Sequence, residues 1–295
     1  MYFMKQNDRK SIIMNIAAVL IFGTIGIFRR YIPLSSSFLA FSRGILGGLF
    51  ILFYVILTKK NTGEKLPVKQ FLWLAMTGAV MGINWILLFE AYNYTTVAVA
   101  TLCYYMQPTI VMLVSPILFK EKLTKKKGLC TLLAIIGMVL VSGVLDQSAG
   151  VNLKGVVLGL GAAVFYSGVV IMNKKIYGVD AYQKTIVQLF SAGMVMIPYL
   201  FLTNGFGFEG LQFSSIVLLL IVGLVHTGIA YVLYFGSMDG LRAQSVALLS
   251  YIDPVSALLF SAFLLREPLS LLNIIGAVLI IGSAMISELG ESTNN

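Results

Sequence analysis

Two polar residues, Asp253 and Gln107, have the type and position to bind a ligand inside the apolar parts of this chain. Each stands directly before a proline, Pro254 or Pro108, and the two pairs are 146 residues apart (253 − 107). Because proline lacks an N–H, it leaves the carbonyl four residues earlier without its helical donor. Each pair therefore combines a carboxylate or amide with a free backbone oxygen, which suits a ligand that carries N–H groups. Asp253 could also exchange protons, since an apolar environment disfavours its charged form; the alternative is a protonated Asp253 that makes only a packing hydrogen bond beside a kink.

Three other ionisable residues lie in apolar runs, where such groups are costly and therefore suggest function. His226, the only histidine, could carry a proton because imidazole changes charge near physiological pH. A neutral histidine, hydrogen-bonded between helices, is the alternative. We predict that Arg43 and Glu90 form a structural ion pair or line an outer vestibule, although an arginine can also bind a carboxylate through two parallel hydrogen bonds.

Aromatic and amide side chains form a second group of candidates for substrate binding. Tyr105 and Tyr251 are 146 residues apart (251 − 105), and the same interval separates Trp85, which follows Asn84, from Tyr231 (231 − 85). An aromatic lining would select amphipathic or aromatic substrates and could hold an ammonium group by cation–π contact. The alternative is an aromatic belt at the membrane surface, which accounts poorly for tyrosines in the middle of an apolar run.

The composition indicates which kind of element must position these residues. Hydrophobic residues make up 58% of the chain and charged residues 11%, with a mean hydropathy of +0.91, whereas a soluble domain carries roughly 25% charged residues. A spanning helix needs about 20 apolar residues. We therefore predict an all-α integral membrane protein in contact with lipid, with ten transmembrane helices near 11–28, 37–58, 70–91, 97–118, 127–145, 155–173, 184–203, 215–236, 243–264 and 271–287.

The basic residues predict the orientation of these spans. With the N-terminus inside, sixteen of the 21 lysines and arginines lie on the cytoplasmic side, since only Arg29, Arg30, Arg43, Lys154 and Arg266 do not (21 − 5 = 16). Membrane proteins concentrate Lys and Arg in cytoplasmic loops, so both termini are predicted to be cytoplasmic in a multi-pass protein of the plasma membrane. The net charge of +9 is thereby explained without a nucleic-acid partner.

The sequence also repeats itself at half its length. Five predicted spans fall in 11–145 and five in 155–287, and because five is odd, the second half must enter the membrane upside down. Inverted repeats of this kind are the architecture of many secondary transporters, in which the substrate site lies at the repeat interface. The matched positions at an offset of 146 include Phe89 and Phe235, Leu102 and Leu248, Tyr105 and Tyr251, Pro108 and Pro254, and Lys120–Glu121 and Arg266–Glu267.

These motifs carry a resemblance to a known family. The run AYNYTTVAVA at 91–100, then Pro108, then KEKLT at 120–124 resembles the EamA-type repeat of the drug/metabolite transporter superfamily, and the second copy has Pro254 and REPLS at 266–270. The resemblance implies a ten-helix carrier, commonly an exporter of amino acids or related metabolites. The second copy departs from the pattern where DGLR stands at 239–242.

The function expected from these observations is secondary transport of a small-molecule substrate by alternating access, with protons as a candidate coupling ion and no cofactor. An uptake carrier for nucleosides, nucleotide sugars or organic anions is an alternative, but anionic cargo would call for a basic cavity, and only Arg43 lies within a span. A non-transporting membrane sensor or an intramembrane enzyme belongs to another class. The chain contains no His-Glu-x-x-His, Gly-x-Ser-x-Gly or P-loop pattern.

Overall fold

A computed structural model describes residues 6–59, 66–94, 100, 103–141, 153–203, 205, 212–265 and 271–289. Over these ranges the regular secondary structure is helical, without a strand. One helical stretch runs from Phe213 to Gly240 and contains a π-helical segment at Val222–Ile229 and a short 3₁₀ turn at Met238–Gly240. The α-helices are α1 Gln6–Arg30, α2 Ser36–Leu57, α3 Val68–Tyr94, α4 Gln107–Phe119, α5 Lys125–Val141, α6 Leu153–Lys174, α7 Ala181–Leu202, α8 Phe213–Ile221, α9 Ala230–Ser237, α10 Ala243–Ser250, α11 Ile252–Leu265 and α12 Leu271–Leu289.

Several of these helices are long and apolar enough to cross a membrane. Within the described ranges, five meet that test by length and composition: Ser37–Leu57, Val68–Tyr94, Leu153–Lys174, Ala181–Leu202 and Phe213–Gly240. The other five predicted spans overlap α1, α4, α5, the α10–α11 pair and α12. The chain is therefore a helical, multi-pass membrane protein, while the number of ten crossings stays a prediction.

Polar side chains define where some of these helices begin. Ser35 precedes α2 and its hydroxyl accepts a hydrogen bond from the Phe38 amide at 3.2 Å. Asp180 precedes α7 and accepts from the Tyr182 amide at 2.9 Å. Such caps satisfy amides in the first turn that have no partner within the helix. Ser35 stands close to an apolar run, so the start of α2 coincides with the polar-to-apolar change in the sequence, whereas Gln183, Lys184 and Thr185 follow Asp180 before the apolar part of α7 begins.

The packing of the helices follows the two-repeat organisation. The third predicted span packs on the sixth (α3 on α6), and the eighth packs on the first (the π segment and α9 on α1). These two pairs correspond to each other when the first and second halves are exchanged. The same holds for a second set, in which α3 packs on α7 and α2 packs on the π segment. The pairs α2–α7, α4–α10 and α5–α12 each join corresponding spans of the two halves. This pattern is consistent with two related halves.

Two glycines let helices approach backbone to backbone. A Cβ atom added to Gly78 of α3 would lie 2.4 Å from the backbone oxygen of Gln188 in α7. One added to Gly47 of α2 would lie 2.9 Å from the oxygen of Gly223 in the π segment. Real Cβ atoms do not come so close, so these positions require glycine, and small residues of this kind drive close helix packing in membranes.

The spans that carry the paired prolines are interrupted. Helix α4 begins at Gln107, so Pro108 lies in its first turn, and α11 begins at Ile252, so Pro254 lies in its first turn. Proline is tolerated there because the first-turn amides have no helical partner. The prolines therefore start new helices in the middle of the predicted spans, instead of kinking continuous ones.

Candidate functional site

The two helix interruptions face each other in the structure. The Thr109 hydroxyl, in the first turn of α4, is 2.6 Å from the Tyr251 hydroxyl, which lies between α10 and α11. The Tyr105 hydroxyl interacts with the carboxyl group of Asp253. Helices α4 and α10 also pack directly on each other. Four predicted site residues, Tyr105, Gln107, Tyr251 and Asp253, thus belong to one region.

Asp253 is the acidic residue of this region. It lies in the first turn of α11, where the positive end of the helix dipole favours a negative charge. Its side chain is partly buried, and the Ser256 hydroxyl donates to its backbone oxygen at 2.8 Å, not to the carboxylate. The carboxyl group therefore remains available to a ligand beside Tyr105.

Gln107 is the amide of this region and has an unused donor. Its side chain is 1% exposed, and its Nε2 has no hydrogen-bond partner among the described residues. The backbone oxygen of the same residue accepts from the Ser167 hydroxyl of α6 at 3.2 Å. A buried donor left unpaired costs about 1–3 kcal/mol, so a ligand that accepts this hydrogen bond would gain affinity.

A row of tyrosines forms the adjacent wall. The rings of Tyr104 and Tyr166 stack with centroids 5.4 Å apart and planes 5° from parallel, and Tyr105 packs edge-on against Tyr104 at 5.5 Å. The Tyr166 hydroxyl donates to the Tyr234 hydroxyl at 3.3 Å. Tyr104, Tyr105 and Tyr166 keep part of their surface exposed, whereas Tyr234 is fully buried. The exposed parts of these three rings leave room for a ligand beside them.

A second aromatic group surrounds Arg43 of α2. The guanidinium carbon lies 5.0 Å from the centroid of the Trp85 ring, and Tyr231 lies next to both side chains. The Trp85 and Tyr231 centroids are 6.4 Å apart, and Phe22 of α1 packs on Tyr231 at 5.0 Å. Tyr231 also interacts electrostatically with Asp253, so it connects the arginine to the region of the carboxylate. We call the partly open space bounded by these residues the central cavity.

His226 lies in the π segment and contacts α1. Its Nε2 is 2.7 Å from the Thr24 hydroxyl, and its ring packs edge-on against Phe28 at 4.5 Å. Only 2% of the side chain is exposed. π-Helical turns are rare and often occur at functional sites. The structure gives His226 the interhelical hydrogen bond that we considered as its alternative role, and a proton-carrying role stays a prediction.

Asn84 and Glu90 of α3 contact other helices. The Asn84 Nδ2 donates to the backbone oxygen of Ala162 in α6 at 2.6 Å, so its amide joins two packed helices. The Tyr199 hydroxyl donates to the Glu90 carboxylate. Among the described residues Glu90 forms no ion pair with Arg43; the ion pair found there joins Lys184 and Asp239. Among the described residues the structure thus places the Tyr199 hydroxyl, and not Arg43, at the Glu90 carboxylate, and the alternative that Arg43 and Glu90 line an outer vestibule stays a prediction.

A charged cluster at one end of the bundle was missed by the sequence analysis. The Lys184 Nζ of α7 lies 2.7 Å from Asp239 Oδ1, and the lysine side chain is 0% exposed. The Lys174 Nζ, at the end of α6, donates to the backbone oxygens of Met238 at 2.9 Å and of Leu241. A cation at these carbonyls compensates the groups left unpaired at a helix end. Both lysines looked like loop residues because each stands next to a predicted span boundary.

Glu121 completes this cluster from the first repeat. Its carboxylate accepts hydrogen bonds from the backbone amides of Ala243, at 3.0 Å, and Gln244, at 3.3 Å, at the start of α10. A carboxylate at a helix N-terminus pairs amides that have no helical partner. We call Glu121, Lys174, Lys184 and Asp239 the end network; it joins the ends of α4 and α6 to α7, the 3₁₀ turn and α10.

A separate apolar pocket lies apart from all predicted site residues. Its volume is about 260 Å³, and its walls come from α2, α7, the π segment and α9. Tyr54 and Tyr182 stack at one end of it with centroids 5.7 Å apart. The lining consists of Phe50, Ile51, Tyr54, Tyr182, Ile229, Val232 and Leu233. Two of these side chains, Tyr54 and Ile229, are 41% exposed on the outer surface, so this pocket belongs to the lipid-facing side.

Metal chemistry finds no support in the described part of the chain, where no three His, Cys, Asp or Glu residues come together. Cys103 and Cys130 are both free and buried. The polar groups of the central cavity are therefore hydroxyls, one amide, one carboxyl and one guanidinium, and these can bind an organic molecule by hydrogen bonds and charge.

Comparisons with known proteins point to one family. The sequence profile of the EamA-like transporter family matches residues 9–143 and again residues 153–288. The uncharacterized transporter YxxF of Bacillus subtilis is 26% identical over 273 residues, covering 92% of this chain and 86% of the relative. Protein PecM of Dickeya dadantii is 26% identical and covers 77% of each chain. A solved crystal structure with 19% identity superposes with a TM-score of 0.81 over 95% of this chain and 96% of the other, which shows that the fold is shared.

Proposed function

We propose, because the chain belongs to the EamA-like transporter family, that it is a secondary transporter that exports small amphipathic metabolites such as amino acids or related compounds. The observation that carries the proposal is the arrangement of the two interrupted spans, whose polar residues face each other. Gln107 offers an unpaired amide donor and Asp253 a carboxyl group beside Tyr105. Irregular backbone inside a membrane is tolerated where it lines a cavity, and discontinuous helices form the substrate sites of many transporters.

Alternating access would follow from two inverted halves, 11–145 and 155–287. In such folds one half rocks against the other around a fixed central site. The packing of corresponding spans on each other, such as α4 on α10, supports a site at the interface of the halves. The end network closes that interface at the end where α6 stops and α7 begins, which the charge distribution assigns to the cytoplasm. Opening towards the cytoplasm would require the Glu121 carboxylate of the first half to leave the Ala243 and Gln244 amides of the second half.

The proposed location is the plasma membrane with both termini in the cytoplasm. This assignment rests on the excess of Lys and Arg in one set of loops. The surrounding lipid would contact the exposed apolar side chains of the outer helix faces, including Leu57, Ile117 and Phe263.

Proton coupling is the proposed source of energy, with Asp253 as the coupling residue. Partial burial disfavours the charged form of a carboxyl group, so Asp253 can accept a proton from the side with higher proton concentration and release it on the other. The Tyr105 hydroxyl beside it can donate a hydrogen bond to the deprotonated form. Cargo and proton would then compete for, or share, the same carboxyl group.

Flux measurements with proteoliposomes test this proposal. A thermal-shift screen against amino acids, nucleosides and cationic drugs first identifies a cargo, because a ligand that binds the folded state raises its stability. We then expect Asp253→Asn to abolish flux driven by a pH gradient while the protein remains folded. The matched control is Asp180→Asn, which removes a carboxylate outside the cavity and keeps a good helix cap. Unchanged pH-driven flux in Asp253→Asn would contradict the proposal.

A further inference from the structure

Arg43 is a cation in the membrane-spanning part of the bundle for which the described structure holds no counter-ion. Its Nε atom is buried and has no hydrogen-bond partner among the described residues. The nearest candidate in its own half, Glu90, is occupied by the Tyr199 hydroxyl. Removing a charge from water costs several kcal/mol unless the charge is paired. Arg43 as a whole is only partly buried, so an anion from outside the chain can reach it.

The surroundings of Arg43 orient its hydrogen-bond donors. The guanidinium lies over the Trp85 ring, with its carbon 5.0 Å from the ring centroid, and Trp85 is 5% exposed. A cation–π contact uses the flat face of the guanidinium, whereas its N–H groups point outward in the plane. Stacking therefore holds the side chain in place. The Tyr231 hydroxyl interacts with the guanidinium, and the Nε–H is left without a partner for an oxyanion to accept.

Tyr231 connects this arginine to the rest of the central cavity. It lies beside both Arg43 and Trp85 and interacts electrostatically with Asp253, and its ring is 7% exposed. A ligand bound at Arg43 would thus have an aromatic surface next to it and the Asp253 carboxyl group beyond. The described residues near the guanidinium include one further titratable side chain, His226, which is already bonded to Thr24.

We propose that Arg43, held by Trp85 and Tyr231, binds a carboxylate or sulfonate group of the transported molecule. The inference rests on the proposed function in one respect, since it takes the central cavity to be the cargo site. The cargo is then a small organic compound with one anionic head and an apolar or aromatic body, which packs against the tyrosine row. A single arginine provides one positive charge, so a compound with several anionic groups is disfavoured.

Fluorescence quenching gives a direct test, because the chain has only two tryptophans, Trp73 and Trp85. The full-length Trp73→Phe variant, purified in a neutral detergent, leaves Trp85 as the sole reporter. At constant ionic strength we expect iodide to quench Trp85 in a saturable manner and benzoate, but not neutral benzamide, to reverse the quenching. Arg43→Gln should weaken the apparent iodide affinity roughly ten- to hundredfold, the range for hydrogen bonds to a charged group.

Two controls separate anion binding from a general change in accessibility. Neutral acrylamide should quench Trp85 equally before and after Arg43→Gln. In a Trp85→Phe background, Trp73, whose Nε1 donates to the Met172 oxygen at 3.3 Å, should respond to iodide independently of Arg43. Arg43→Lys should retain saturable iodide quenching but lose most of the benzoate competition, because lysine lacks the planar fork.

Several outcomes would overturn the inference. Absence of saturable iodide quenching does so, as does quenching that Arg43→Gln leaves unchanged. If phosphatidylglycerol added to the micelles protects Trp85 and benzoate does not, the anion is a lipid headgroup and not a cargo. Because the measurement requires no transport, Arg43-dependent binding without any flux would contradict only the proposed function, and flux without it only this inference.

Discussion

The end network and the central cavity differ in how their buried charged and polar groups are paired. In the end network, Lys184 pairs with Asp239, Lys174 donates to backbone carbonyls and Glu121 accepts backbone amides. In the cavity, Gln107 Nε2 and Arg43 Nε are buried donors without a partner in the described protein. Groups that are satisfied within the protein stabilise one arrangement of helices, whereas unsatisfied donors persist where a ligand completes them.

Two other unpaired buried atoms, Asn15 Oδ1 and Gln244 Oε1, do not follow the pattern of the cavity. The amide nitrogen of Asn15 donates to the Ser237 hydroxyl at 3.0 Å, and that of Gln244 donates to the Ser115 hydroxyl at 2.8 Å. Each of these amides is thus bonded to a neighbouring helix through its nitrogen. Among the described residues, the buried hydrogen-bond donors without a partner are therefore those of Gln107 and Arg43.

The largest expected effect on stability comes from the end network. Asp239→Ala leaves the Lys184 ammonium, which is 0% exposed, without its partner. Removing one member of a buried pair costs 3–5 kcal/mol, and because Asp239 itself is 44% exposed, we expect about 3 kcal/mol. The free energy of unfolding in mixed detergent and dodecyl sulfate measures the loss. The double variant Asp239→Ala with Lys184→Met should recover part of it, and an unchanged single variant would show that the network is dispensable.

A smaller loss is expected where the frame around the cavity is packed by glycine. A Cβ atom in Gly78→Ala would meet the Gln188 backbone oxygen at 2.4 Å, and overpacking of this kind costs about 1–3 kcal/mol. Gly168→Ala is the matched control, because its Cβ would meet Val80 Cγ1 at an ordinary 3.7 Å. The same unfolding experiment should lower the stability of the first variant and leave the second near the parent value. Equal stability would contradict the close approach of α3 and α7.

The smallest expected change in stability comes from two buried amide side chains, one that is hydrogen-bonded within the protein and one that is not. Asn84 donates to the Ala162 oxygen at 2.6 Å, so Asn84→Leu should lose about 1 kcal/mol, as for other interhelical hydrogen bonds in membranes. Gln107 Nε2 has no partner, so Gln107→Leu should lose none and should weaken binding of the cargo found by thermal shift. Reversed stability effects would mean that Gln107 has a structural role after all.

Much of the site could be anticipated from the sequence. The interval of 146 residues paired Tyr105 with Tyr251 and Gln107 with Asp253, and the structure brings these residues to one region, where Thr109 touches Tyr251 and Tyr105 meets Asp253. A repeat interval can do this because corresponding positions of two related halves lie close to the same axis. The π segment at Val222–Ile229 left no comparable signal, since its residues are as apolar as those of a regular helix.

Pairings between helices were harder to anticipate. The ion pair of Arg43 with Glu90 was expected from their opposite charges in adjacent spans. Instead, the Tyr199 hydroxyl of α7 donates a hydrogen bond to the Glu90 carboxylate, and the Arg43 guanidinium packs over the Trp85 ring. Lys184 is the first residue of the predicted span 184–203 and was counted among the basic residues on the cytoplasmic side, yet α7 begins earlier, at Ala181, and buries it. A start three residues earlier places Lys184 near the end of the first turn of α7, about 4.5 Å along the helix axis, instead of at the helix boundary.

By itself the sequence determined that this is a helical membrane protein with two related halves and an EamA-type pattern in each. Hydropathy and spacing are properties of local segments, and water and hydrocarbon select them before any two helices meet. Only the tertiary structure decided which polar groups are satisfied and which remain open, because each partner comes from a distant helix whose rotation and depth are set by packing. The interrupted helices around Asp253 and Gln107 and the unpaired guanidinium of Arg43 follow from that packing, and they define the cavity in which transport is proposed to occur.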